Sequence, residues 1–396
     1  MRKSVAVLFI VACMTYIAAC GGSSSTATSH VTVYDLPVPV AKPSSRTVMG
    51  GAIQGLGALA LANPVTMTTI AGGIAGFNNI SSVGSATFRQ PIAVTTDGTN
   101  VYVADYANNA IRRINSATKR VTTIAGNTLG LAGSADGIGE AASFNHPSGI
   151  TTDGTNLYVT DSFNYTIRQI VISTGTVTTL AGGLALPGSI DATVGLNARF
   201  NVLNGITTDG VSLYVTVSNN TFRRVVIASG VVTTLAGSPG TSGSADGAPA
   251  TARFNLPARI TTDGPNLYVT DYGNSTIRKI TLATGAVTTI AGKVGPGGTA
   301  GSHADSTDGT GQTARFNQPN GITSDGVNLY VTDSFDNTVR MIVLSSATIS
   351  SGAVSTLTSN GAAAVNTTMG ITTDGTKLFI TDYSTDNLNH RIREIQ

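Results

Sequence analysis

Acids, arginines, aromatics and amides recur at fixed offsets along this 396-residue chain. Aspartates stand at Asp105, Asp161, Asp271, Asp333 and Asp382; arginines stand at Arg112, Arg168, Arg223, Arg278 and Arg340. Acids alone could bind a cation or move a proton. Acids that recur with an arginine partner are instead expected to cap turns and to form a repeated charge-assisted bond. Aromatic residues follow close behind the acids: Tyr106, Phe163, Tyr165, Tyr272, Phe335 and Tyr383. Converging on one opening with Asn204 and Asn320, they would suit a sugar, a peptide or a partner's loop. Lying under their own turns, they would only pack.

Other chemistry is thinly represented. The glycine-rich acidic stretches around Asp136, Asp246, Asp305 and Asp308 offer oxygens of the kind calcium takes, though not at EF-hand spacing. The only glutamates are Glu140 and Glu394, and the four histidines (His30, His146, His303, His390) are scattered. That set does not suggest a zinc triad or an acid–base pair. A Gly-x-Ser-x-Gly elbow, a P-loop and a cysteine nucleophile are all lacking, so no catalytic residue and no metal site is assigned. Formal net charge is +2, and bases and acids balance once Arg2 and Lys3 are set aside. With no basic stripe, nucleic acid is not an expected partner.

The elements that must position these residues are internal repeats. Asp-Gly pairs recur at Asp97, Asp153, Asp209, Asp263, Asp325 and Asp374, about 55 residues apart. A Thr-Thr-Ile/Leu-Ala-Gly segment ends at Gly72, Gly126, Gly182, Gly237 and Gly292, with a weaker copy at Val354–Thr358. Each unit reads as four strands. In the second, Gly149–Thr152 is strand a, Asp153-Gly154 a hairpin turn, Leu157–Thr160 strand b, Thr166–Ile170 strand c and Val177–Leu180 strand d. Repeated four-stranded antiparallel sheets predict an all-β, six-bladed propeller. The first recognisable element, about 65–70, is a lone strand d. The last unit, about 369–395, has a, b and c only. The ring is therefore predicted to close by pairing the first strand with the last three, which also removes two exposed sheet edges.

The residues resemble NHL repeats, with Phe144-Asn-His-Pro-Ser-Gly-Ile leading to Leu157-Tyr-Val-Thr-Asp-Ser-Phe-Asn-Tyr-Thr-Ile-Arg168, and Phe316-Asn-Gln-Pro-Asn-Gly-Ile leading to Arg340. The resemblance covers about residues 64–396. The chain has no Trp, so the Trp-Asp signature of WD40 blades is absent. Two units depart from the pattern: the third has Val217 where the acid belongs and one turn residue fewer, and the sixth lacks the Phe-x-x-Pro lead. The long connections 127–143, 183–199, 238–253 and 293–315 are expected to share the binding face with the b–c turns.

The first residues read as an address. Arg2 and Lys3 precede an apolar run ending in Ile17-Ala18-Ala19-Cys20, which resembles a bacterial lipobox. The expected organisation is a lipoprotein signal peptide at 1–19, a lipidated Cys20 with a flexible Ser/Thr/Gly/Pro tether to 62, and a propeller over 63–396. In a Gram-negative cell, Gly21 after the cysteine implies the outer membrane. The resulting expectation is a monomeric, exported, membrane-anchored binding or scaffold module at the cell envelope. Its partner would be an envelope protein or a glycan, its membrane contact the lipid anchor alone. Because related six-bladed propellers include lactonases and lyases, an envelope hydrolase or lyase with a channel-mouth site is the alternative.

Overall fold

The computed structural model describes residues 48–49, 52–53, 58–61, 64–79, 86–183, 186–293, 306–344, 352–357, 367–383 and 389–396. The predicted signal peptide, Cys20, most of the tether and Asp305 lie outside the described residues.

The chain from residue 64 onward forms six antiparallel blades around a channel. Blade one is Pro91–Thr96, Asn100–Asp105, Ala110–Asn115 and Val121–Ala125. Blade two is Pro147–Thr152, Asn156–Asp161, Thr166–Val171 and Thr176–Ala181. Blade three is Leu203–Thr208, Ser212–Val217, Thr221–Val226 and Val232–Gly237. Blade four is Pro257–Thr262, Asn266–Asp271, Thr276–Thr281 and Val287–Ala291. Blade five is Pro319–Ser324, Asn328–Asp333, Thr338–Val343 and Ala353–Leu357. In blades two and five a two-residue fifth strand, Gly137–Ile138 or Gly309–Thr310, adds to the outer edge.

Blade six is Thr368–Thr373, Leu378–Asp382 and His390–Ile395, completed by Met67–Gly73. The pairing runs from His390 opposite Gly73 to Ile395 opposite Met67. Thr66 and Gln396 exchange two further backbone hydrogen bonds. The phase of the repeats thus gave the closure correctly; the closing strand reaches three residues past the predicted end, because its last glycines are still paired.

Burial explains the composition of each strand. Strand Asn156–Asp161 is buried on both faces, since each blade is sandwiched between two others, and β-branched and aromatic residues fill such strands well. Four inner strands begin with proline, where a channel edge needs no ladder donor. The apolar core lies between blades: Ala104 and Ile111 of blade one pack with Phe144, Ile150, Leu157 and Val159 of blade two. Threonine hydroxyls tie neighbouring blades. Thr160 donates to the Asn204 carbonyl at 2.9 Å, Thr216 to Ala258 at 2.7 Å and Thr270 to Asn320 at 2.6 Å. Gly149 permits this approach: a Cβ there would meet the Asn204 carbonyl oxygen at 2.5 Å.

Candidate functional site

The repeated acids and arginines meet inside the blades. Arg168 is fully buried, and its Nη1 donates to Asp161 at 2.7 Å while Nη2 donates to Asp136 at 2.7 Å. It also donates to the carbonyls of Ser143 and Ala135 and lies over the Phe144 ring. Arg278 has the same arrangement with Asp271, Asp246 and Phe254, and Arg340 with Asp333, Asp308 and Phe316. Arg112 pairs with Asp105 at 2.8 Å and with the Asn79 side chain. Arg223 has Asp191 alone at 2.5 Å, because Val217 replaces the inner acid. In blade six Asp382 meets Arg393 at 3.5 Å.

The inner aspartates cap at a different place from the one expected. Asp161 accepts from the backbone N–H of Asn145, sixteen residues earlier, and from the Asn164 side chain. The b–c turn itself has no side-chain cap from Asp161. Burial pushes the Asp105, Asp161 and Asp271 carboxyls up to about 6, against the downward pull of their arginines and hydrogen bonds. Burial likewise lowers the Arg223 guanidinium.

The acidic loops serve this arrangement too. Asp136, Asp246 and Asp308 are the outer partners of the buried arginines, and each also accepts from a threonine backbone N–H and hydroxyl on an outer strand. Their oxygens therefore already have protein donors. No group of three or more His, Cys, Asp or Glu arranged for a metal ion occurs among the described residues.

A separate site opens at the end of the channel that carries the b–c turns. A cavity of about 520 Å³ is lined from all six blades, including Tyr106, Phe163, Asn204, Arg259, Tyr272, Asn320 and Tyr383. Six of the eight candidate residues are thus brought together. Tyr165 is not among them: it takes the left-handed position that ends its turn, with φ of 59°. Phe335 points outward and is 61% exposed. The long connections contribute no lining residue among those described. Their described parts pass beside the b–c turns, where Asn109, Asn164 and Asn274 donate to the carbonyls of Gly130, Gly133 and Gly243, and reach the outer strands, where their aspartates meet the arginines.

The walls are held by contacts between blades. His146 packs edge-on against Tyr106 at 4.6 Å and Phe163 at 4.8 Å, and burial lowers its pKa. Tyr272 donates to Gln318 at 2.5 Å. Asn204 donates to the Pro257 carbonyl at 3.1 Å. Burial raises the pKa of the Tyr106 and Tyr272 hydroxyls, so both are neutral donors at physiological pH.

Arg259 was not among the candidates, although the repeat marks it. The inner strands carry Ala93, Gly149, Gly205, Gly321 and Gly370 at one equivalent position; blade four places Arg259 there. Its Nη2 donates at 3.1 Å to the Ile92 carbonyl of blade one, the blade opposite in a ring of six. Arg259 lines both the mouth cavity and a space of about 40 Å³ deeper in the channel, so it forms the floor between them. Desolvation lowers its pKa to about 10, still well charged at neutral pH.

A closed ring of six four-stranded blades with a ligand-sized opening at one end defines a six-bladed β-propeller. No family model matches the chain. In sequence it is 25% identical over 284 residues to NHL repeat-containing protein 2 of Gallus gallus, a match covering 64% of this chain. The chain spans only 38% of that relative's length. Two solved structures from Bacteroides thetaiotaomicron share the fold. One is a protein of unknown function, at 19% identity and a TM-score of 0.58, covering 84% of this chain and 76% of that one. The other is an auxiliary nutrient binding protein, at 15% identity and a TM-score of 0.58, covering 85% and 77%. At these identities the structural likeness is one of fold alone. Sequence match, repeat pattern and architecture all liken this chain to NHL-repeat proteins, on a six-bladed propeller fold.

Proposed function

We propose that this propeller is an exported, lipid-anchored module that binds a carbohydrate of the cell envelope at its channel mouth. One observation carries the reading: the cavity of about 520 Å³ draws on all six blades and gathers Tyr106, Phe163, Tyr272 and Tyr383 with Asn204 and Asn320. Its size falls in the usual range for ligand sites, roughly 300–1,000 Å³. Aromatic faces cover the apolar faces of a sugar ring, and amides suit its hydroxyls. The Ile17-Ala-Ala-Cys20 sequence and the Ser-rich stretch after it support anchoring through Cys20. The auxiliary nutrient binding protein of similar fold supports a binding role at the level of architecture.

The described lining gives no support to the alternative of an envelope hydrolase or lyase. The described residues lining the cavity include no Asp, Glu or His, so the site offers walls and hydrogen bonds rather than a proton-transfer pair.

The test is a glycan microarray probed with the detergent-solubilised full-length protein. Retention of one glycan class, weakened about tenfold or more by Tyr272→Ala or Tyr383→Ala, is the expected result. Retention of no glycan, or retention indifferent to both changes, refutes the site. Anchoring is tested separately: Cys20→Ser should move the protein from the membrane fraction to the soluble fraction.

A further inference from the structure

The described lining of the mouth cavity carries one charge. Arg259 is the only charged side chain among the described residues lining it. No ion pair to Arg259 occurs among the described residues, and its guanidinium makes one hydrogen bond to them, with the Ile92 carbonyl. A guanidinium has five N–H donors in a fixed fork. The buried arginines of the blades show what this protein does with such a group: Arg168 engages two carboxylates and two carbonyls. Arg259, by contrast, has a place in the channel and no anion among the described residues.

A second atom in the cavity also lacks a partner. Asn320 is 7% exposed, lines the cavity, and its Oδ1 is buried with no hydrogen-bond partner among the described residues. It can accept a hydrogen bond that no described residue donates. A guanidinium and an amide oxygen beside aromatic walls ask for an anion and a hydroxyl carried on one ring.

We infer that Arg259 recognises a carboxylate on the ligand of the channel mouth, so that the natural ligand is an acidic sugar of the uronate kind. The inference rests on the carbohydrate reading above and names its class. A carboxylate matches the planar guanidinium fork and its single positive charge. A doubly charged phosphate would leave charge unbalanced on this floor. The ring hydroxyls next to the carboxylate then supply the donor for Asn320 Oδ1, and Tyr106, Tyr272 and Tyr383 flank the ring.

The experiment compares four probes by titration calorimetry on the detergent-solubilised full-length protein: galactotriose, trigalacturonate, a tri-aspartate peptide and inorganic phosphate. Trigalacturonate should bind at least about tenfold more tightly than galactotriose, the effect expected of one hydrogen-bonded charge pair. Arg259→Gly restores the residue found in four other blades and should erase that preference, with the melting curve as a folding control. Arg259→Gln, which keeps the bulk, should erase it as well, and Asn320→Leu should weaken both sugars. Equal binding of the two sugars overturns the role of Arg259 and leaves the carbohydrate reading standing. Arg259-dependent binding of tri-aspartate with no sugar bound overturns the carbohydrate reading and leaves carboxylate recognition standing. Binding of phosphate alone, or of no probe, overturns both.

Discussion

The ring contains arginines of two kinds, and the difference between them separates frame from site. Arg168 lies inside a blade, fully buried, with acids on both sides and a phenylalanine beneath it. Arg259 reaches across the channel and meets one carbonyl. A buried ion pair is weak evidence of net stability, because desolvation offsets much of the attraction, yet removing one partner is costly. The repeated arginines are therefore fixtures that cannot easily be changed one residue at a time. Arg259 has no carboxylate partner among the described residues, so its change is expected to cost the fold little.

The largest change that breaks this contrast is loss of the closing strand. Deleting residues 64–73 removes the outer strand of blade six and should abolish cooperative thermal unfolding; an unchanged melting curve would contradict closure by Met67–Gly73. Next comes Asp161→Val, which gives blade two the residue that blade three has at Val217. It should cost about 3–5 kcal/mol in chemical denaturation, as for a buried pair broken on one side. A loss under about 1 kcal/mol would mean that the outer acid alone suffices, as Asp191 does for Arg223.

Acid titration sharpens the same contrast. Asp105, Asp161 and Asp271 are raised from 3.8 to about 6 in the fold, so the folded state binds protons that the unfolded state does not between those values. Stability from these groups should rise as pH falls from about 7 to about 4 and be lost again on returning through 6. Asp153, Asp308 and Glu394 are lowered in the fold, so their contribution is present above the ordinary carboxylate range and lost below it. A melting temperature that climbs by a few degrees toward pH 5 and drops below pH 4 is expected; a steady fall from pH 7 would contradict the raised values.

Smaller still is Tyr158→Phe. The phenol donates to Asp153 at 2.8 Å across the Asp-Gly hairpin, so its removal should cost about 1 kcal/mol. Blade six already carries Phe379 at this place. Smallest of all is Arg259→Gly, expected to shift stability by less than about 1 kcal/mol, within the range of a site lacking a strong partner.

The frame was legible because it repeats. The Asp-Gly hairpin at Gly154, whose φ is 88°, and the Leu-Tyr-Val-Thr strand behind it each occur often enough to fix blade number and phase. The opening was partly legible, since residues just after strand b or just before strand a must lie at one end of the ring. Tyr165 was misplaced because one residue of turn decides whether a ring faces the channel or ends a left-handed turn. The pairing of Asp136 and Asp246 was not legible because their arginine partners stand 32 residues further along and meet them only when the loop crosses the outer strand. Arg259 was the signal in plain view: it breaks a run of small residues. A repeat pattern by itself marks what recurs, not the one position that departs from it.

That single arginine also has a consequence for symmetry. Six equal blades around an axis would offer a ligand at the mouth six equivalent ways to lie, each populated and none preferred. One side chain rooted in blade four and touching blade one removes that degeneracy and gives the channel a direction across its diameter. A ligand held by it would lie one way round.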